Sequence, residues 1–333
     1  MLEIRDVPKP SPKDNEVLIE VKAAGINFAD IMARMGLYVD SPPLPCVVGY
    51  EVSGVVRECG KEVKNLKEGD SVAALTHFGG YSEWVVVPEK QAVKISEKIS
   101  FASAAAVPVN YLTAWLMLIR LGNLQPEETV LVHAAAGGVG LAALQICLYK
   151  KAKVIGTASQ PKHERLKKMG VCHTIDYRNQ DFAKEVMDFT EGRGVDIVLD
   201  AQGGKSFHKS YQVLAPMGRL YLFGASSTSS GRKKRSILQV LKTLFWMPKF
   251  KAVDLMLKNK GVMGVNLGRL WHRGQELEEI LKEIFQKVEQ GIFQPVVDKI
   301  FSFEEASQAH EYIQNRQNFG KVILSPDKDS LKE

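Results

Sequence analysis

Residues Val130 to Cys147 constrain this chain more than any other stretch. Val130-Leu131-Val132 is a short apolar run rich in β-branched residues and predicts a buried parallel strand. Small residues follow from Ala134 to Gly140, and Leu141, Leu144, Gln145 and Leu148 then recur at helical spacing. Strand, tight turn and helix in that order open a dinucleotide-binding unit. The Gly-x-Gly-x-x-Gly pattern reads Ala135-Ala136-Gly137-Gly138-Val139-Gly140, with alanine in the first glycine place. Gly137 and Gly138 would let the backbone approach a pyrophosphate, and Gly140 would let the helix close on the strand. Residues Ala136 to Gly140 would then offer orphan N–H groups at the positive end of a helix. Such a turn alone also fits any tight strand-to-helix connection. A second strand about 20 residues further on favours the nucleotide.

Strands and helices alternate from there. Val154–Ala158, His173–Asp176, Val195–Asp200 and Gly218–Gly224 predict strands two to five, with helices over 161–169, 182–191 and 207–214. Gly261–Leu267 is a sixth strand and its exit. This is the doubly wound α/β pattern. Residues 1–95 are instead β-rich. A strand-like start over 1–6 and strands over 17–23, 52–56, 71–73 and 81–87, broken by Gly and Pro, suggest a partly open β-barrel. Residues 25–38 predict a loop and a helical turn. Ser100 caps a helix through Ala104–Ala106, and a second helix covers 111–120. After the sixth strand come an amphipathic helix over 275–290 and a strand over 296–301. A capping box, Ser302-Phe303-Glu304-Glu305, opens a last helix, and a strand over 321–324 closes the chain.

With 333 residues the chain has room for two domains, and 45% hydrophobic with 25% charged residues is an ordinary globular balance. No apolar run reaches the ~18 residues a membrane span needs. The start lacks a signal peptide's apolar core, so cytoplasm is the expected compartment. Cys46, Cys59, Cys147 and Cys172 are scattered, which argues against a disulfide framework or a clustered zinc site and for free buried thiols. The net charge of +6 is local: residues 231–260 hold nine Lys or Arg against Asp254, leaving 35 basic and 37 acidic residues elsewhere. That speaks against a nucleic-acid partner.

Gly-Ile-Asn-Phe-Ala-Asp (25–30), Arg-Met-Gly-Leu-Tyr (34–38), Gly-Tyr-Glu-Val-Ser-Gly (49–54), Gly-Asp-Ser-Val (69–72), Leu-Thr-Ala (112–114) and the glycine turn together resemble the medium-chain dehydrogenase/reductase superfamily. Within it they resemble the zinc-free quinone oxidoreductase branch. Residues 109–114, 156–164 and 265–270 are similar to the vesicle amine transport protein homologues of that branch. The resemblance covers nearly the whole chain. It implies a GroES-like, partly open β-barrel domain for substrate over 1–110 and 268–333, and a Rossmann doubly wound parallel-sheet domain over 111–267. It also implies a homodimer through the edge strand near 262–267. The family carries a further strand and turn ahead of the segment matching Leu2-Glu3-Ile4, so a truncated or short start is expected.

Zinc members of the superfamily place Cys where Asn27 stands and Gly-His-Glu where Gly49-Tyr50-Glu51 stands. An amide and a phenol are poor zinc ligands, so no metal is expected. Without a Lewis acid, acceptors that take hydride readily are favoured, such as quinones and activated enones. In NAD-binding units an acid about 20 residues past the glycines bonds the ribose 2′-hydroxyl. Here that place reads Ser159-Gln160-Pro161-Lys162, with no acid before Glu164. A hydroxyl and an ammonium match a 2′-phosphate and point to NADP(H), although Lys162 also reads as a solvated lysine at a helix start. By resemblance, Tyr177 contacts the same phosphate, and Asn110 and Thr113 line the nicotinamide. Phe223 and Gly224 approach its ribose, Val265 and Leu267 present backbone to the carboxamide, and Asn318 lies near the cofactor. Each is equally a packing position, and His133 reads as structural. Asn27, Tyr38 and Tyr50 are candidate donors to a substrate oxygen; loop packing is their other reading, and solvent is another proton source.

The expected activity is a zinc-independent, NADPH-dependent reduction of a quinone or enone. The alternative is a membrane-associated nucleotide-binding protein with weak or vestigial reductase activity. Arg232-Lys233-Lys234-Arg235 and the apolar stripe to Met247 read either as a cover over the cleft or, over 232–247, as a peripheral membrane-surface helix.

Overall fold

Residues 2–226, 245–327 and 331 are described by a computed structural model. They fall into two units, Met1–Leu112 with Leu267–Glu333, and Thr113–Asn266. The first unit opens with β1 (Glu16–Gly25), α1 (Phe28–Arg34), β2 (Glu51–Cys59), β3 (Ser71–Leu75), β4 (Trp84–Pro88), β5 (Ala92–Lys94) and α2 (Phe101–Ala105). The boundary falls inside α3 (Pro108–Trp115). The second unit alternates β6 (Thr129–Val132), α4 (Gly138–Tyr149), β7 (Lys153–Ala158), α5 (His163–Lys168), β8 (His173–Asp176), α6 (Phe182–Phe189), β9 (Val195–Asp200), α7 (Lys205–Gln212), β10 (Leu214–Leu222), α8 (Ala252–Lys258) and β11 (Gly261–Gly264). The chain returns to the first unit with α9 (Gly274–Glu289), β12 (Val297–Ser302), α10 (Ala306–Gln314) and β13 (Lys321–Ser325).

The first unit is one seven-stranded sheet, ordered β12-β13-β1-β2-β3-β5, with β4 also on β1. Register shifts at Leu18/Ile19 and Val21/Ala23 mark bulges in β1. Bulges bend a strand, and β1 serves β2, β4 and β13 in turn. Val17, Ile19, Val21 and Ala24 pack with Val52, Val56, Val72 and Val85. Ile19 and each of the valines contribute roughly 1.5–3 kcal/mol on burial. An exposed ion pair such as Arg269–Asp40 is screened by solvent and contributes little, so the apolar stripe dominates.

The second unit is a six-stranded parallel sheet ordered β11-β10-β9-β6-β7-β8. Its central strands β6, β7 and β9 are buried along nearly their whole length because helices cover both faces; Leu131, Ile155, Val198 and Leu220 are fully buried. The order reverses between β6 and β9, and the carboxyl ends at such a point form the crevice where α/β sheets bind ligands.

Several local expectations shift. Residues 2–13 form no strand; Pro8, Pro10 and Pro12 lack the donors a ladder needs. The helix expected over 111–120 begins at Pro108, whose missing N–H suits a first turn, and continues as a π-helical stretch over Leu116–Arg120. The last helix starts at Ala306, because Ser302 belongs to β12, paired with Ser325. Of the expected box the structure has Glu305, which accepts from the Ser302 N–H at 2.9 Å. β10 starts at Leu214, so α7 ends two residues sooner than expected. Among the cysteines Cys147 is buried, Cys46 is half-buried, and Cys59 and Cys172 are exposed. The basic run 232–235 and its apolar stripe as far as Leu244 lie outside the described residues. Among the described residues no helix is long and apolar enough to cross a membrane.

Candidate active site

In the second unit the glycine turn is held tightly. The Ala135 N–H donates to the Thr157 carbonyl at 3.0 Å and the Gly137 N–H to the Ala134 carbonyl at 2.8 Å. A Cβ on Gly140 would stand 2.5 Å from the Ala134 oxygen and 2.7 Å from the Ala135 Cα, so only glycine fits there. Among the described residues no side chain caps the start of α4. Its first-turn N–H groups therefore remain as an anion cradle at the positive end of the helix.

Parallel strands carry their carboxyl ends to one edge of a sheet. β6 ends at the turn and β7 leads to Ser159, with Lys162 beyond it. β8 leads to Tyr177, β10 to Phe223 and Gly224, and β11 to Val265. The second-unit residues expected around a cofactor thus share one edge, and Ser159 is buried there. Asp176, which closes β8 at that edge, is spent on its own turn: it accepts from Asn179 Nδ2 at 2.7 Å and the Arg178 N–H at 3.1 Å. Asn110 and Thr113 lie one turn apart on α3 and are buried. The Asn110 amide donates to the Ala106 carbonyl at 3.0 Å. In the first unit Asn318 Nδ2 donates to the Gly320 carbonyl at 2.9 Å, and Leu267 is buried.

At the switch point a polar network fills the space under the turn. His133 Nε2 lies 3.0 Å from Ser210 Oγ, and its Nδ1 3.2 Å from Thr157 Oγ1. Ser210 and Ser206 each donate to Asp200 Oδ2 at 2.7 Å. Burial lowers the His133 pKa, against the pull of Asp200. A serine, a histidine and an aspartate meet here, but Ser210 is fully buried and donates to the acid. That order offers no exposed nucleophile, and the network braces β6 to β9. The sequence reading of His133 as structural agrees with this, whereas Asp200, Ser206 and Ser210 gave no signal of their own.

In the first unit elements distant in sequence bring a second buried network together. Asn27 Nδ2 donates to Glu51 Oε1 at 2.8 Å and to the Gly25 carbonyl at 3.3 Å. Lys321 Nζ donates to Asn27 Oδ1 at 2.7 Å and pairs with Glu51. Glu51 Oε2 accepts from the Val109 N–H at 2.7 Å, at the start of α3. Both amide hydrogens of Asn27 are therefore used inside the unit, and this residue cannot also donate to a substrate as expected. The buried Glu51 carboxylate claims it, because a desolvated charge needs every partner within reach. Asp30 accepts from the Asn27 N–H at 2.7 Å, the Gly49 N–H at 3.0 Å and the Tyr81 hydroxyl at 3.2 Å. Burial pushes its pKa up to about 7. The Tyr81 hydroxyl also lies 3.0 Å from His310 Nε2, and burial keeps His310 neutral, with a pKa of about 3. Through Gly49, Asp30 positions Tyr50. That ring meets Tyr38 edge-on at 5.9 Å and Phe78 at 4.9 Å. Burial first, then Tyr38, hold the Tyr50 phenol protonated far above its usual range. Tyr38 and Tyr50 are thus together. Sequence reasoning missed Glu51 as an anchor and Lys321 and Asp30 altogether.

Residues 13–97 match the alcohol dehydrogenase GroES-like domain and residues 169–324 the zinc-binding dehydrogenase family. The Danio rerio synaptic vesicle membrane protein VAT-1 homolog is 41% identical over 96% of this chain, which spans 66% of that relative's length. A Pseudomonas aeruginosa quinone oxidoreductase is 34% identical over 98% of this chain and 96% of its own. Among solved structures, Escherichia coli quinone oxidoreductase complexed with NADPH aligns with a TM-score of 0.84 at 31% identity, covering 97% of this chain and 95% of that one. Zinc stands in one family description, yet the donor set does not fit it. Asn27 and Tyr50 offer an amide and a phenol, and the buried Lys321 ammonium already neutralises Glu51.

Proposed function

The chain belongs to the medium-chain dehydrogenase/reductase superfamily, a family of oxidoreductases, and we propose that it acts there as a zinc-independent reductase passing hydride from NADPH to a quinone or an activated enone. One observation carries this reading. The uncapped α4 start and the pair Ser159 and Lys162, standing where an acid would select NAD, share one edge of the parallel sheet. Bound NADPH supplies the hydride, and a quinone that accepts it takes up one proton to finish as the hydroquinone. The α4 N–H groups hold the pyrophosphate. The Ser159 hydroxyl and Lys162 ammonium hold the 2′-phosphate, with Tyr177 beside them. In the second unit Thr113 lines the nicotinamide, with Phe223, Gly224 and Val265 as that unit's further cofactor contacts, and the first unit offers Asn110, Leu267 and Asn318 as its own candidate cofactor contacts. Tyr38 and Tyr50 offer phenols to the acceptor oxygen, while Asn27 braces the wall behind them.

The test sets NADPH against NADH, each with an ortho-quinone, an enone and an alcohol, and includes metal analysis of the same sample. NADPH should be oxidised with the quinone, at a KM about tenfold or more below that of NADH, since a charge-assisted bond is worth about 1.5–3 kcal/mol. A preference for NADH, or stoichiometric zinc with alcohol oxidation, overturns the proposal.

A second reading is peripheral membrane attachment through 232–247. It is supported by the vesicle-membrane name of the zebrafish relative and by the basic run 232–235. Co-sedimentation with anionic vesicles should separate the wild type from a variant with those four residues changed to Gln; if neither sediments, this reading falls. β11 is an edge strand of its sheet among the described residues. Pairing of β11 with a second copy would make the homodimer, and a monomer mass by light scattering would exclude it.

A further inference from the structure

We propose that the second unit carries another ligand site, a pocket for a small aromatic anion, at the C-terminal end of α7. The cavity there measures about 310 Å³. It is walled by the last turns of α7 on one side and by the segment Pro248 to Lys260, including α8, on the other. α7 leads into β10 and Lys260 into β11, so the pocket lies at the amino ends of these strands. The glycine turn is at the opposite edge of the sheet. Ligand pockets run from about 300 to 1,000 Å³. This one stands at the small end and suits a single ring with one charged group rather than a dinucleotide.

Its walls define the chemistry. Tyr211 and Phe250 supply a tilted aromatic pair, with ring centroids 5.3 Å apart. Around them stand Lys249, Lys251, Lys258 and Lys260, against one carboxylate, that of Asp254, among the described residues. Lys260 is engaged: its Nζ donates to the Tyr211 carbonyl at 3.2 Å and the Gln212 carbonyl at 3.4 Å, capping α7. It also lies 5.2 Å from the Tyr211 ring centre, and the Lys258 Nζ lies 5.9 Å from the same ring. Burial and the neighbouring Lys258 pull the Lys260 pKa below the ordinary lysine range. Like charges crowded at the rim of one cavity repel, and an anion between them converts that repulsion into attraction. The Tyr211 hydroxyl at the same wall is buried and, among the described residues, has no hydrogen-bond partner. A buried donor left unpaired costs about 1–3 kcal/mol. Flat apolar walls for a ring and surplus ammonium groups for a charge together select an aryl phosphate or aryl carboxylate.

Phenyl phosphate is the probe, with phenol and inorganic phosphate as its two halves. Binding to the full chain is followed by calorimetry and by saturation-transfer NMR of the aromatic protons, with and without saturating NADPH. The expected result is one equivalent of phenyl phosphate bound at least fivefold more tightly than either half and undiminished by NADPH. Lys251→Gln with Lys258→Gln, both at exposed positions, should weaken it at least fivefold and leave the NADPH titration unchanged. Tyr211→Phe, which removes one oxygen only, should weaken it as well. Displacement by NADPH would assign the probe to the cofactor edge and overturn the proposal. Equal weak binding by wild type and lysine variant, or by phenyl phosphate and inorganic phosphate, would also overturn it. Failure of NADPH to bind at all would refute the proposed reductase and leave the phenyl phosphate titration intact.

Discussion

Replacing Lys321 with Met keeps the aliphatic stem and deletes one charge from a closed site. The Lys321 and Glu51 side chains are 3% and 0% exposed. After the change Glu51 still accepts from Asn27 Nδ2 at 2.8 Å and from the Val109 N–H at 2.7 Å. What it loses is the countercharge. Two unit charges about 4 Å apart interact by about 4 kcal/mol at an effective dielectric constant of about 20. Removing one member of a buried pair typically costs about 3–5 kcal/mol. The two figures agree. The first unit has about 180 residues, and a domain of that size shifts by about 2–4 °C per kcal/mol, so its melting transition should fall by about 6–20 °C. Trp84 and Trp271 belong to this unit and Trp115 and Trp246 to the other, so the melt is followed by calorimetry, which reads the shifted transition directly. Lys321→Met combined with Glu51→Gln removes the stranded charge and should recover at least half of the loss. A single variant melting within about 2 °C of wild type, or a double variant no better than the single, would refute the assignment of Lys321 and Glu51 as one mutually dependent anchor.

Three further outcomes can be checked. Asp30 has its pKa raised to about 7 by burial, above the unfolded value, so the folded state keeps this proton longer; its contribution to stability should fall as pH rises from about 4 to about 7 and stay level above. Asp30→Asn should flatten that part of a urea-midpoint series, and parallel wild-type and variant slopes would count against the buried acid. Gly140→Ala puts a methyl 2.5 Å from the Ala134 oxygen, which should cost about 1–3 kcal/mol and weaken NADPH about tenfold or more in a fluorescence titration; unchanged affinity would remove the turn from the site. Lys162→Glu should raise the KM for NADPH about 10- to 100-fold with little change for NADH, and an equal effect on both would deny contact with a 2′-phosphate.

Much of the fold was legible because its signals are local. A β-branched run, a small-residue turn and a helical stripe specify β6, the turn and α4 within one short stretch, and β8 and β9 begin and end where the pattern puts them. Boundaries moved where tertiary pairing outweighed a local signal. Ser302 reads as a helix cap but is claimed by its ladder with Ser325, and β10 takes Leu214 from the expected helix through its pairing with Val195. β5 and α8, of three and seven residues, are too short to carry a period.

The sequence alone determined the kind of unit that binds at Val130 to Cys147, the absence of an acid at Ser159 to Lys162, and the absence of zinc-type donors at Asn27 and Tyr50. Each of these is a question of which side chain occupies a place in a local pattern. Only the tertiary structure decided what those side chains are free to do. Asn27 and Lys321 are 294 positions apart, and no periodicity links them. Their meeting follows from β13 pairing with β1, and it turns a candidate donor into a brace. Asp30, Tyr81 and His310, and likewise His133, Ser210 and Asp200, are assembled the same way. Buried polar groups must find partners wherever the fold delivers them, and that delivery is a property of the sheet rather than of any segment.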